Sequence, residues 1–322
     1  LVFYNSYLPD IAYPEQQDRI SAKGFSMGYL GSVILLLLNL AMVMKPDWFG
    51  FDISISETLK QTGTETQILE ALELAKNSAS IDAMRVAFIT VGLWWAIFSQ
   101  YSFYILPKGV SQGHKVNKSV IFNGLKELKV VWLDLKQNLR LKRYLIAFFV
   151  FSMAVQTIML VAVYFGEEEI AWGDSNAKTQ GLIVSILVIQ LVAILGAYLT
   201  SRASSIFGNI KTLILINCIW MVLCVYAYFM ETPTQFYIAA AFVGLVMGGI
   251  QSLARSTYSK FLPDTEDTTS YFSFFDVAEK IGIVIGMVID QITGSMRNAI
   301  LFLFIFFLIG IVLLFRVPKE AK

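Results

Sequence analysis

The sequence predicts an all-α protein that crosses a membrane many times, and three observations predict it. Hydrophobic residues make up 56% of the chain and charged residues only 15%, against roughly 45–50% and about 25% in soluble domains, so most of this surface has lipid as its solvent. Eight stretches are apolar over the ~20 residues that a helix needs to cross ~30 Å of hydrocarbon at ~1.5 Å per residue. They are residues 25–44, 83–106, 144–165, 181–200, 212–230, 236–255, 271–293 and 298–316, and none alternates with the period of two that marks a strand of a membrane barrel. The third observation is that the loops between them alternate in charge.

Taken in order, the chain opens on an apolar segment, residues 1 to 8, that reads as the end of a further helix. A charged turn with Asp10, Glu15, Asp18, Arg19 and Lys23 leads into the 25–44 span. The loop at 45–82 is acidic and has a short apolar pattern at Ile68, Leu69, Leu72 and Leu74, expected as a separate cap helix. After the 83–106 span, residues 107–143 carry Lys108, Lys115, Lys118, Lys126, Lys129, Lys136, Arg140, Lys142 and Arg143 against Glu127 and Asp134. An excess of basic residues marks the cytoplasmic side. Within this linker Ile121, Leu125, Leu128, Trp132, Leu135 and Leu139 recur at spacings of three and four opposite the lysines, which predicts a basic helix lying along the inner leaflet. The next loop holds Glu167, Glu168, Glu169 and Asp174 and is expected outside; Arg202 and Lys211 follow inside, and the tail with Arg316, Lys319 and Lys322 ends inside. Arg297, in a short outer turn, breaks the pattern. Cys218 and Cys224 lie in one span on different faces, so they read as small core residues rather than a disulfide or a metal site.

The chain also contains a duplication. Tyr4-Asn5-Ser6-Tyr7-Leu8-Pro9-Asp10 returns as Tyr258-Ser259-Lys260-Phe261-Leu262-Pro263-Asp264, and at the same offset Gly24, Gly28 and Ser32 meet Ala278, Gly282 and Gly286. Small residues at every fourth position form a smooth helical stripe along which a neighbouring backbone can approach. Pro9 and Pro263 are expected to stop their helices at matching points, since proline disfavours helical geometry in the residue before it. Counting spans on either side of the linker predicts a parent of six plus six. Residues 1–106 would be the remnant of the N-terminal half, 107–143 the cytoplasmic linker and 144–322 the C-terminal half. Internal repeats of this kind accompany secondary transporters.

Ionisable groups inside a span are costly and are functional candidates. Residues 271–293 hold Asp276, Glu279 and Lys280. Asp276 and Lys280 are four apart with the acid toward the N-terminus, the favourable order for a pair; the pair would face a cavity and couple or gate, or be a local pair with Lys280 snorkelling. In 236–255, Gln251, Ser252 and Arg255 share a helix face. Arg255 would bind a carboxylate with its two-pronged fork, or hold headgroups at the helix end. Asp10 and Arg19 are candidates for a latch between the two charged turns, whose other charges read as solvated. Tyr29, Asn39, Gln190 and Asn217 read as hydrogen-bonding groups between helices. No H-E-x-x-H, G-x-S-x-G or P-loop pattern occurs, and His114 is the one histidine, which argues against an enzyme and against a resident metal or cofactor. The apolar mass argues against a nucleic-acid binder.

The run Phe3 to Ala12, then Pro14-Glu15-Gln16, Arg19-Ile20-Ser21 and Gly24-Phe25-Ser26-Met27-Gly28-Tyr29-Leu30-Gly31, with Gly248-Gly249-Ile250-Gln251-Ser252-Leu253-Ala254-Arg255-Ser256 and Phe275-Asp276 with Lys280, resembles the vacuole-effluxer-like branch of the major facilitator superfamily. The resemblance covers the whole chain. The turn from Gly196 to Lys211 departs from it, because the superfamily's acid-Arg pattern is reduced there to Ser201-Arg202. The resemblance implies a 6+6 helix bundle in which the fourth, seventh and tenth helices line the cavity. That nominates Tyr4 and Asn5, Gln156 and Thr157, and Gln251 as solute contacts, beside Ser252 and Arg255. It also implies a monomeric secondary transporter of small solutes, amino acids or small peptides, working by alternating access in a bacterial inner membrane, with protons as the expected coupling ion. The competing expectation is a membrane scaffold or sensor that keeps the fold without transporting.

Overall fold

Polar caps and glycines punctuate the apolar runs where the chain turns. The computed structural model describes residues 2–56, 61–106, 129–135, 137–263, 265, 267–293 and 295–319, with side chains described for all of these but 175–176, 278 and 282–293. Among the described residues the helices are α1 (Val2–Ile11), α2 (Gln17–Met44), α3 (Glu65–Ile105), α4 (Leu139–Glu169), α5 (Ser175–Phe207), α6 (Asn209–Tyr228), α7 (Pro233–Phe261), α8 (Thr268–Thr293) and α9 (Met296–Phe315), with a 3-10 turn at Pro46–Phe49. Thr64 and Thr232 open α3 and α7 with reciprocal capping boxes to Gln67 and Gln235, and the Asn138 and Asp174 side chains accept from Leu141 and Ala177 N–H groups to open α4 and α5. Each satisfies a donor that the helix itself leaves free. Between α5 and α6 the chain turns on Gly208 at φ +84°, a backbone state that a side chain disfavours. Among the described residues seven helices, α2 to α7 and α9, are long and apolar enough to cross a membrane; residues 271–293 lie within α8.

Several expectations need correction. The apolar pattern from Ile68 to Leu74 is not a separate cap helix but the first turns of α3, which runs 41 residues without a break. No glycine or proline falls between Glu65 and Val91, so nothing stops the helix, and at ~1.5 Å per residue it is about twice as long as a bilayer core is thick. Pro9 does not end α1, which continues to Ile11; a proline in a last turn forfeits little of the ladder. Pro263 behaves as expected: α7 ends at Phe261, and Leu262 is extended at φ −62°, ψ 144°. Cys224 is buried but Cys218 is exposed, so only one of the two cysteines is a core residue. The described end of the linker, residues 129–135, is helical and packs on protein: Val131 and Leu135 are buried, Trp132 stacks on Phe274 at 5.9 Å, and Tyr271 Oη donates to Asp134 Oδ2 at 2.9 Å. Ile121, Leu125 and Leu128 lie outside the described residues.

The chain divides into two compact units, residues 1–30 with 116–322, and residues 31–115. In the second unit α3 runs antiparallel to the rest of α2. Gly31 lies beside Trp94, Thr90 Oγ1 donates to Asn39 Oδ1 at 2.8 Å, and Ser80 Oγ donates to the Val43 carbonyl at 3.0 Å.

In the first unit α5 and α7 make the closest helix contact. Cβ atoms on Gly196, Gly244 and Gly248 would overlap the backbone of Leu245, Ile189 and Ala193, so small residues let these backbones meet, on a seam separate from the two expected stripes. Gly28 and Ser32 are exposed, with nothing within 4 Å of a Cβ built on Gly28. Gly24 makes room for the side chains of Tyr4 and Arg255 rather than for a backbone. Ala278, Gly282 and Gly286 lie outside the described side chains. Tyr144, Trp220, Tyr258 and Phe307 are fully buried in the core, with Trp220 stacked on Phe307 at 5.7 Å.

The two repeated corners lie at the same end of this unit. Pro9, Asp10 and Pro263 line one vestibule of about 560 Å³ together with Gln17, Ser259 and Lys260.

Candidate functional site

Helical spacing builds a cavity above that vestibule. On α4, Phe148, Phe151, Ser152, Val155 and Gln156 fall at three- and four-residue intervals and so share a face. Ile250, Gln251, Ala254 and Arg255 do the same on α7, and Phe275 and Glu279 on α8. With Asn5 of α1 and Phe25 of α2 they enclose about 260 Å³, slightly below the ~300–1,000 Å³ of common ligand pockets, which suits a small solute. The walls are mostly aromatic: Phe148 and Phe275 stack at 3.9 Å. Polar groups enter at three places, which can fix the orientation of a bound molecule.

Arg255 is one of them. It is 3% exposed, and its Nε donates to Ser21 Oγ at 3.0 Å, one terminal nitrogen to Asn5 Oδ1 at 3.2 Å and the other to the Ser21 carbonyl at 3.4 Å. Ser21 Oγ in turn donates to the Ser252 carbonyl at 2.7 Å. The guanidinium lies 4.6 Å from the Tyr4 ring centre and 4.9 Å from that of Phe25, within reach of cation–π attraction. Among the described residues no carboxylate pairs with it; the ion pairs are Arg85–Asp82, Lys178–Glu167, Lys260–Asp18, Lys280–Asp276 and Arg297–Glu169. A buried cation satisfied only by neutral partners is poised for an anion.

Glu279 is the second polar group and accepts a hydrogen bond from Gln156 Nε2. Gln251 is the third. Its Oε1 accepts from Tyr29 Oη at 2.6 Å and its Nε2 points to Met159 Sδ at 3.5 Å, so it ties α2 to α7 at the cavity wall.

Of the residues nominated from sequence, Asn5, Gln156, Gln251, Arg255 and Glu279 come together on this cavity. The others do not line it. Tyr4 stacks beneath Arg255; Thr157 Oγ1 donates to the Met153 carbonyl at 2.8 Å and Ser252 Oγ to the Gly248 carbonyl at 2.8 Å, so both hydroxyls serve their own helices. Asp276 and Lys280 form a loose pair at 3.9 Å along α8, with the Lys280 side chain half exposed. Asp10 and Arg19 are exposed. Among the described residues the ionic contact at the corner end is made by Asp18, expected as a solvated turn residue, with Lys260 at 2.7 Å. Sequence reasoning also missed Phe25, Phe148, Phe151 and Phe275; the three- and four-residue spacing of Phe148, Phe151 and Val155 marks a shared helix face but not whether that face meets a cavity or lipid.

Comparison with known proteins agrees with this architecture. The model of the family described as "Vacuole effluxer Atg22 like" matches residues 1–322. A Bacillus subtilis protein named as an uncharacterized MFS-type transporter, YxiO, is 28% identical over the whole chain, which spans 68% of that relative. Autophagy-related protein 22 of Yarrowia lipolytica is 24% identical over 94% of the chain, which spans 51% of it. Among solved structures, the E. coli fucose:proton symporter FucP superposes with a TM-score of 0.56 over 99% of this chain and 73% of its own, at 14% identity. That likeness is one of fold.

Proposed function

Because the chain belongs to the vacuole effluxer Atg22-like family, we propose that it is a secondary transporter whose cargo is a small zwitterion, an amino acid or small peptide, held in the cavity between α1, α2, α4, α7 and α8. Arg255 receives the carboxylate, Glu279 receives the ammonium group or a coupling proton, and the phenylalanine walls take the apolar part of the solute. The observation that carries this reading is the buried Arg255, which faces a cavity without a carboxylate partner among the described residues while Glu279 lines the same space. A scaffold would have no use for an uncompensated buried charge, which costs stability.

In this reading α1 and the first turns of α2 are parts of the N-terminal half, α4 to α9 are the C-terminal six helices, and α8 crosses the membrane as the eleventh of twelve spans. The end with the two corners, the basic linker and the C-terminus face the cytoplasm, as the loop charges support. The two halves rock about the cavity and expose it alternately. The test is flux. The protein is reconstituted in vesicles, a pH gradient is imposed, and a panel of labelled amino acids and dipeptides is followed. Gradient-dependent accumulation that Arg255→Met abolishes is the expected result; a panel without flux or binding overturns the reading.

A further inference from the structure

Ser21, one turn into α2, is wholly buried, and both of its oxygens meet the arginine of another helix. Arg255 Nε donates to Ser21 Oγ at 3.0 Å, and Nη2 of the same guanidinium donates to the Ser21 carbonyl at 3.4 Å. A serine hydroxyl can donate or accept, and its proton ordinarily rotates to suit the surroundings. Here the direction is fixed. A guanidinium has N–H groups and no acceptor, so Oγ must accept from it. The Ser252 carbonyl, 2.7 Å from Oγ, has no proton to give, so the hydroxyl must donate there. Ser21 is thus held by α7 at two points, the Arg255 side chain and the backbone three residues before it.

This clamp decides what is left of Arg255. A guanidinium carries one N–H on Nε and two on each terminal nitrogen. Ser21 takes the Nε–H and one N–H of Nη2, and Asn5 Oδ1 takes one of Nη1 at 3.2 Å. One N–H remains on each terminal nitrogen, the pairing that suits the two oxygens of a carboxylate. The surroundings keep this arrangement. Gly24 lies on the same face of α2 as Ser21, and a Cβ there would overlap Tyr4 Oη and come within 3.5 Å of Arg255 Nη2. The Tyr4 and Phe25 rings, 4.6 and 4.9 Å from the guanidinium carbon, attract the cation through their faces. Arg255 lines the cavity and Ser21 does not, so whatever Ser21 does for a solute it does through Arg255.

We propose that Ser21 is a positioning residue for solute binding: its two oxygens hold one edge of the Arg255 guanidinium, so that the N–H pair on the terminal nitrogens stays directed at the solute carboxylate. An arginine side chain has much rotamer freedom to lose, and a fork fixed beforehand lowers the ordering cost of binding. Without Ser21 Oγ the Nε–H has no acceptor, and the guanidinium turns to find one. The charge then stays in the cavity, but the carboxylate no longer meets both N–H groups together.

The proposal rests on the transport reading for the solute but not for the clamp, so the two fail separately. Equilibrium binding to the purified full chain is measured for each amino acid of the panel and for its carboxamide, in which an amide replaces the carboxylate. The parent is expected to prefer the amino acid. Ser21→Ala is expected to weaken the amino acid about tenfold, the worth of a hydrogen bond to a charged group, and to leave the carboxamide within about twofold, so the preference collapses. Ser21→Thr keeps the hydroxyl and is expected to keep the preference. Ser21→Cys, whose sulfur is a weak acceptor, is expected to lower it about threefold and serves if Ser21→Ala does not fold. A serine that merely packs α2 on α7 would affect both ligands alike. An unchanged preference in the variants that fold, or a loss in Ser21→Thr equal to that in Ser21→Ala, overturns the positioning role and leaves the transport reading standing. A parent that binds no member of the panel overturns the transport reading instead, and the clamp is then read without solute. The Arg255 Nε–H signal in nitrogen-15 NMR, identified by its absence in Arg255→Met, is expected to exchange with solvent about tenfold faster in Ser21→Ala; an equal rate overturns the clamp.

Discussion

Gly248 of α7 stands against the carbonyl of Ala193 on α5 so closely that a Cβ would overlap it. Gly244 meets Ile189 one turn away in the same manner, and the pair forms the small-residue seam on which these two helices pack. Gly248→Ala is therefore expected to destabilise the protein by about 1–3 kcal/mol, the cost of an overpacked contact that backbone must yield to. Gly28→Ala is the control. It is exposed with open space at the Cβ position, so relief of glycine's chain entropy should stabilise by about 0.5–1 kcal/mol. Thermal unfolding of the two variants in detergent checks both signs; equal effects would contradict the seam.

Arg255 already spends donors on Asn5 and Ser21, and its remaining N–H groups are those available to a solute carboxylate. Arg255→Lys keeps the charge but loses the fork, so three fixed partners cannot be held while a carboxylate is bound. Solute affinity is expected to fall about 10- to 100-fold, as loss of a charge-assisted bond implies, and Arg255→Met to lose binding. Equilibrium binding of amino acids to the purified variants measures this. Unchanged affinity in Arg255→Lys would remove the guanidinium from the site.

How far the site could be read beforehand depends on which physical signal each residue carries. Helices were legible because a long apolar run has few other uses, Gln251, Arg255 and Glu279 because polar groups in such runs are expensive, and Asn5 and Gln156 only through the helix layout that the family resemblance implies. Phe148 and Phe275 were not, since a phenylalanine facing a cavity and one facing lipid look alike in sequence. Asp18 and Lys260 were hidden differently: an acid in a first turn and a base in a last turn are already explained by the helix dipole. The continuity of α3 was obscured by the acids among its first apolar residues, although no breaker interrupts it.

Arg297 is the basic residue on the wrong side of the charge pattern, and its contacts account for it. Nε lies 2.6 Å from Glu169 Oε2, and the terminal nitrogens donate to the Tyr228 carbonyl at 2.8 Å and the Glu169 carbonyl at 3.1 Å. It thus ties the last carbonyls of α4 and α6 to the start of α9, where a cation suits helix C-termini. Arg297→Ala should cost about 1–3 kcal/mol by leaving these acceptors without a donor, read as a lowered unfolding midpoint. A change within about 0.5 kcal/mol, the range of ordinary surface substitutions, would make Arg297 incidental.

Glu279 separates coupling from carriage. It lines the cavity and takes a hydrogen bond from Gln156, whereas Asp276 and Lys280 sit off the cavity in a loose pair on the same helix. A proton carried with the solute needs a group in the cavity that gains and loses charge as access alternates. Glu279→Gln keeps the shape and an acceptor for Gln156 but cannot titrate, so uphill accumulation driven by a pH gradient should vanish while exchange of solute across the membrane continues at a rate within about tenfold of the parent. Asp276→Asn should preserve gradient-driven accumulation. Accumulation retained in Glu279→Gln, or lost in Asp276→Asn alone, would move the coupling site off the cavity, and loss of exchange together with accumulation would assign Glu279 to the solute rather than to the proton.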